Sequence, residues 1–354
     1  MKNLLLILLL LLTGEISAQQ TATIVVKTTP DNKIAYWPTG KDHLFFITLG
    51  TKAQADPQGQ FVHEFSVSRP TTIHVWAKGN NSFTLYLTPG SKDTIAVAKD
   101  TINFSGTNRV YNRCLKAVDD YQQYSDNLIY MQPHELEGVT SLEQYHQLAD
   151  ARMKQALDSV NASGLDKEFL AEQRAHIDYT HRSIFLHVAM YLVKNENFTE
   201  NWRKELAEII NQPVDSDYLR SYRGIGLFIN DLIGAQFIKL ENGKPEEIKD
   251  YCSFRFDRYR KFFKGDNLQY AQALLIYEDE FQTRNTPSIP QLYERYKAEF
   301  PNSPFLSVLE PGVNKNLRFQ NSRIDDKDYH ILPCDSTVEN LEDAVKPFKG
   351  KVIY

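Results

Sequence analysis

The sequence predicts an α+β multidomain chain: an N-terminal antiparallel β-sandwich, then an all-α domain. Two observations carry this prediction. From Thr21 to about Thr107, short β-branched or aromatic runs alternate with turn residues, and past Asn108 the apolar residues recur at intervals of three and four. At 354 residues the chain is long enough for two or three domains of roughly 100 to 200 residues each. With 42% hydrophobic and 12% aromatic residues it has ample material for cores, which excludes a disordered chain. A net charge of −5 offers no electrostatic case for nucleic acid.

Residues 1–18 have the form of a secretory signal peptide. Met1-Lys2-Asn3 precedes the leucine-rich run Leu4 to Leu12, and Ser17-Ala18 supply the small residues of a cleavage site. The apolar run is about half of the roughly 20 residues a membrane span requires, and no later run reaches that length. The mature chain is therefore expected outside the cytoplasm, periplasmic or otherwise extracytoplasmic, with no transmembrane segment.

Residues 19–107 are expected to form the β domain. Strand-like runs are Thr23 to Val26, Leu44 to Ile47, Phe61 to Val67, Thr72 to Trp76, Phe83 to Leu87, Thr94 to Val97 and Ile102 to Phe104. Pro30-Asp31-Asn32, Asp56 to Gly59, Gly79-Asn80-Asn81 and Pro89-Gly90-Ser91 suit turns between them. About seven short strands at this spacing suggest an antiparallel sandwich.

Residues 108–310 are expected to fold as seven or eight helices in antiparallel pairs. Tyr111, Leu115, Val118 and Tyr121 share a helical face, as do Phe169, Gln173, Ile177, Ile184 and Val188 with small slips. Ser141 with Gln144 can form a capping box, Pro245-Glu246-Glu247 opens a helix, and Pro213, Pro287 and Pro301 separate helices. Residues 311–335 turn polar, reading as a linker with short strands near Leu317-Arg318-Phe319 and Tyr329 to Leu332.

No set of residues has the spacing of a catalytic, cofactor or metal centre. Cys114, Cys252 and Cys334 are too far apart for a zinc site or a Cys-x-x-Cys pair, although one disulfide among them is compatible with an oxidising compartment. On a helix His187 returns to within about 20° of His176 but three turns away, and His181 points about 140° elsewhere, so these three cannot share an ion. His43, His63 and His74 show no ligand spacing either. The aromatic and basic stretch Phe254 to Lys264 projects as an amphipathic helix with Tyr251, Phe254, Tyr259 and Phe262 on one side and most charges in solvent. Gly224-Ile225-Gly226 meets Ile229 where a dinucleotide fingerprint needs glycine, Gly40-Lys41 lacks the earlier glycine of a phosphate loop, and no Gly-x-Ser-x-Gly elbow occurs. Glu278-Asp279-Glu280 reads as a solvated helix face.

The last residues carry a resemblance. Val338, Leu341 and Val345 share one side of a short helix, Pro347 to Lys351 make a polar turn, and Val352-Ile353-Tyr354 begin a strand. A three-residue strand cannot satisfy its backbone groups without neighbouring strands. An amphipathic helix, Lys-Gly-Lys and Val-Ile-Tyr resemble the start of the thioredoxin-like domain of TlpA-like extracytoplasmic thiol-disulfide oxidoreductases. Thr88 to Ser91, Phe104-Ser105-Gly106 and Asn112 also resemble the small β domain often found ahead of it. The resemblance implies that residues 311–354 are a linker and an incomplete thioredoxin-like domain, truncated before the Cys-x-x-Cys pair that performs the chemistry. It further implies protein thiol or disulfide clients reached through the missing domain. A non-catalytic secreted envelope binding or adaptor protein is the alternative expectation.

Overall fold

The computed structural model describes residues 20–39, 44, 50–78, 81–98, 101–128, 139, 141–192, 198–236 and 248–322. The proposed signal peptide, His43, Gly40-Lys41, Pro245 to Glu247, Cys334 and residues 338–354 all lie outside these.

The chain is mixed α+β. Among the described residues, eight strands form two four-stranded sheets. β1 (Gln20–Lys27), β4 (Gln60–Val67), β7 (Lys92–Val97) and β8 (Ile102–Gly106) make one, in the order β4-β1-β7-β8. β2 (Lys33–Thr39), β3 (Thr51–Gln54), β5 (Thr71–Ala77) and β6 (Asn81–Leu87) make the other, in the order β3-β2-β5-β6. Ile24, Val26, Phe61 and Ile95 from the first sheet join Ile34, Val75, Phe83 and Leu85 from the second in one apolar core. Alternation places these residues on the inner faces and their neighbours on the opposite faces, where His74 is covered by the helices.

Three details depart from the sequence expectation. β1 and β7 pair in parallel, with Thr23 opposite Lys92, whereas every pair was expected to be antiparallel. The chain leaves β1, builds most of both sheets and returns on the free side of β1, a route no tight turn imposes. β2 and β3 were not expected: Pro38 interrupts the first and Thr51-Lys52-Ala53-Gln54 is too polar to read as a strand. Of the strand expected from Leu44 to Ile47, only Leu44 is described.

Nine α-helices follow among the described residues: α1 (Arg109–Asp126), α2 (Leu142–Asn161), α3 (Lys167–Leu192), α4 (Glu200–Asn211), α5 (Ile225–Ala235), α6 (Tyr251–Arg258), α7 (Gly265–Phe281), α8 (Ile289–Glu299) and α9 (Leu306–Asn321). None is long and apolar enough to cross a membrane. The expected capping box forms: Gln144 N–H donates to Ser141 Oγ and Ser141 N–H to Gln144 Oε1, both at 3.2 Å. α9 corrects the linker. It runs through Pro311 to Asn321, so the expected boundary at 310 and the strand at Leu317-Arg318-Phe319 fall inside a helix. Leu309, Gly312, Val313 and Asn316 form its buried stripe, and Gly312 lets the Glu280 side chain approach where any Cβ would overlap it. Packing of that stripe outweighs the propensity of Pro311 and the polar residues around it.

The charged stretch after Tyr251 also departs from its projection. Cys252, Arg255, Phe256, Tyr259 and Phe263 are buried while Tyr251 is exposed. Arg255 donates to Tyr259 Oη at 2.9 Å, lies 3.6 Å from Glu278 and stands beside the Tyr251 and Tyr259 rings. A 3₁₀ turn at Tyr259–Lys261 breaks the helical phase on which the projection depended. Asp279 is not solvated either: it is buried and accepts hydrogen bonds from the Thr286 N–H and hydroxyl, tying the loop after α7.

α1 is the hinge between sheets and helices. It lies along the outer edge of β6 and supplies acceptors that a further strand would have supplied. Tyr86 N–H donates to Asn112 Oδ1 at 2.7 Å, Thr84 N–H donates to the Asp119 carboxylate, and Thr88 Oγ1 donates to Asn108 Oδ1 at 3.2 Å. Alternate edge groups of β6 are thereby satisfied by side chains spaced along one helix, which protects an otherwise unpaired edge. Asn108, at the start of α1, also donates through its N–H and Nδ2 to Asp93 of β7 at 2.7 and 2.9 Å. Both sheets are therefore tied to the first helix.

Candidate functional site

A cleft of about 950 Å³ opens between the sheets and the helices. One wall comprises the end of β2, the β4–β5 turn and the end of β6; the other comprises the first turns of α3 and residues 217–221. Tyr86 and Tyr111 stack with centroids 4.5 Å apart, and Phe169 stands edge-on to both at 5.4 and 4.9 Å, so the aromatic wall is held by rings from a strand and two helices. Burial pushes the Tyr86 hydroxyl up to about 12, so it stays protonated. Asp166 accepts from Phe169 N–H at 2.9 Å and from the Tyr111 hydroxyl at 3.1 Å. The Phe169 bond, aided by the Tyr111 hydroxyl, holds its carboxyl below the usual carboxylate range.

Behind the cleft is a chamber of about 40 Å³, which shares Thr39, Thr72, Glu172 and Ser221 with the cleft lining. Its far side is a hydrogen-bonded network across the sheet–helix junction. His74 of β5 is fully buried, and its Nε2 lies 3.1 Å from Arg223 Nη1 and 2.6 Å from Ser82 Oγ. A guanidinium can only donate, so Nε2 is the acceptor and Nδ1 carries the proton toward Thr84 Oγ1, 3.2 Å away. Thr84 Oγ1 in turn donates to Asp119 Oδ1 at 3.0 Å, and Arg223 Nη2 lies 3.7 Å from the same oxygen. Burial pushes the Asp119 carboxyl up, opposed by Arg223 and by the donors of Thr84. Beside this group Thr180 Oγ1 donates to Gln122 Oε1 at 2.8 Å and lies 3.0 Å from the Tyr222 hydroxyl.

The order Ser82, His74, Thr84, Asp119 invites comparison with a nucleophile, base and orienting acid, but the chemistry does not suit it. A base must accept a proton at Nε2, where Arg223 already donates, and a threonine hydroxyl separates the imidazole from the carboxylate. Burial, then the Arg223 charge, lowers the His74 pKa well below 6.5. The network is a neutral-imidazole clamp, and its acidic failure is predictable. Unfolded, His74 binds its proton near pH 6.5; folded, only at lower pH. The stability it confers is therefore complete above about pH 6.5 and is lost as the pH falls below that value. Asp119 and Asp126, raised by burial, contribute with the opposite sign at lower pH. A comparison with His74→Gln isolates the imidazole: the wild-type advantage in thermal midpoint should shrink between pH 7.5 and 5.5, and a constant difference would contradict a neutral His74.

The three histidines of α3 have separate partners. His176 Nε2 lies 3.1 Å from Ser221 Oγ, His181 Nδ1 lies 2.9 Å from the Tyr121 hydroxyl, and His187 lies 3.6 Å from Asp231. No group of three or more metal-ligating side chains is found among the described residues. Cys114 and Cys252 are buried free thiols. Burial pushes Cys114 up to about 11 and raises Cys252 as well.

No family model, curated protein or solved structure matches this chain.

Of the residues that define the cleft and clamp, the sequence placed Tyr111, Phe169 and Gln173 only on helical faces and noted His74 and His176 only for lacking ligand spacing; Thr84, Asp119, Glu172 and Arg223 were not singled out. His74, Thr84, Asp119 and Arg223 come from two strands, a helix and a loop. The one available signal was local: Asp119 falls on the apolar side of the Leu115, Val118, Tyr121 helix, where an acid requires a partner.

Proposed function

We propose that this chain is the non-catalytic, client-binding front portion of an extracytoplasmic TlpA-like thiol-disulfide oxidoreductase. The observation that carries the binding role is the cleft of about 950 Å³, whose two walls are fixed to each other by the buried clamp behind it. A site with preset walls avoids much of the ordering cost of association. The assignment to this family rests on the sequence resemblance at residues 338–354, and the two sheets around one apolar core suit the sandwich expected ahead of a thioredoxin-like domain. The described thiols support a supporting role: a thiol raised to about 11 is almost wholly protonated at neutral pH, and the thiolate is the nucleophile of disulfide exchange.

In this reading a domain bearing Cys-x-x-Cys performs the exchange while the front portion holds the client. Insulin reduction measures both halves of the proposal. The 354-residue chain alone should produce no turnover above the reductant blank, and clear turnover would refute it. Added to a separate TlpA-like thioredoxin-like domain, it should accelerate reduction of protein clients. The cleft also suits an envelope adaptor without redox partner, for which that addition would have no effect.

A further inference from the structure

We propose that the chamber behind the cleft receives a primary ammonium group, the head of a lysine side chain on an extended polypeptide lying in the cleft. This rests on the client-binding reading and specifies what the client must present. Gln173 is 2% exposed and lines the chamber, yet its Oε1 has no hydrogen-bond partner. A buried carbonyl oxygen left in this way requires a donor. The charges lining the chamber point the same way. Asp119 and Glu172 are acidic and Arg223 is the opposing cation, already directed at His74 and Asp119. Arg223 is thus already engaged by Asp119, while Glu172 lies outside that pair, 3.8 Å from His176 Nε2. Glu172 belongs to the linings of both spaces and marks the route between them.

Size narrows the ligand further. A chamber of about 40 Å³ admits a group the size of one or two waters, which matches an ammonium and its three donors better than a planar guanidinium. The cleft in front, at about 950 Å³, is at the upper end of small-molecule sites and would be poorly filled by a free amino acid. Its aromatic wall of Tyr86 and Phe169 offers apolar area to the lysine stem and neighbouring residues.

Calorimetric titration of the full chain tests this with three probes: a blocked pentapeptide with central lysine, the same peptide with norleucine, and cadaverine. The lysine peptide should bind at least about tenfold more tightly than the norleucine peptide, and Glu172→Gln or Gln173→Leu should each remove most of that difference. Glu172 is partly exposed, so its variant should fold even where Gln173→Leu does not. Equal binding of the two peptides, or binding of neither, overturns the ammonium assignment. Cadaverine binding as tightly as the lysine peptide overturns the polypeptide part in favour of small amines. A reduced, alkylated protein serves as the separate control: if it binds while the peptides are not distinguished, the client-binding reading survives the loss of this inference, and if it too fails to bind, that reading falls.

Discussion

Replacing Asp119 with alanine should destabilise the folded chain by about 3–5 kcal/mol, the range for breaking a buried charge pair by deleting one partner. The carboxylate accepts from Thr84 N–H and Thr84 Oγ1 and faces Arg223 at 3.7 Å. Its removal leaves an edge N–H of β6 without an acceptor inside the junction and leaves Arg223 beside a neutral imidazole. Asp119→Asn preserves an acceptor for Thr84 but removes the charge, and should cost less, about 1–3 kcal/mol. Urea unfolding followed by circular dichroism measures both. Because Asp119 and Arg223 act together, Arg223→Met combined with Asp119→Ala should cost less than the sum of the single changes. Additive effects, or a loss from Asp119→Ala below about 0.5 kcal/mol, would show that the junction is held by apolar packing alone.

The second large effect is expected in the helical core, at Trp202. It is fully buried on α4, on a stripe with Leu206, Ile209 and Ile210. Phe185 of α3 stacks on it at 5.5 Å, Phe198 lies at 6.3 Å, and the Tyr145 ring of α2 is tilted against it at 5.5 Å. One indole thus joins three helices. Trp202→Ala should lower stability by about 3–5 kcal/mol, because the rings around it come from two other helices and from the segment before α4 and cannot close in together. Trp202→Phe should recover most of this, since it retains a ring for Phe185 and gives up an indole Nε1 that has no hydrogen-bond partner. The urea midpoint decides, and a near-neutral Trp202→Ala would mean that the surrounding helices can collapse into the space.

The two positions differ in how far the sequence disclosed them. The switch from strand-like runs to helical spacing near Asn108 is visible because each element carries its own period, and the structure places the start of α1 at Arg109. The Ser141–Gln144 box was legible for the same reason, both partners lying within one turn. Trp202 belongs to a stripe at helical intervals, although two of the rings around it, Tyr145 and Phe185, come from other helices. β2, β3 and the continuation of α9 through Pro311 were not legible, since their local propensities argue against the states that packing imposes. Arg255 shows the same limit: a basic residue is assigned to solvent by composition, and only Tyr259 and Glu278 make its burial tolerable.

By itself, the sequence determined that this chain has a strand-rich front and a helical body, because periodicity and turn chemistry act over a few residues. It also supplied the resemblance on which the redox reading rests. The tertiary structure alone decided that β1 and β7 run parallel, that α1 protects the β6 edge, and that His74, Thr84, Asp119 and Arg223 meet behind a cleft. Those four positions span about 150 residues of chain, and burial in a low-dielectric junction, which no local pattern encodes, is what makes their hydrogen bonds obligatory.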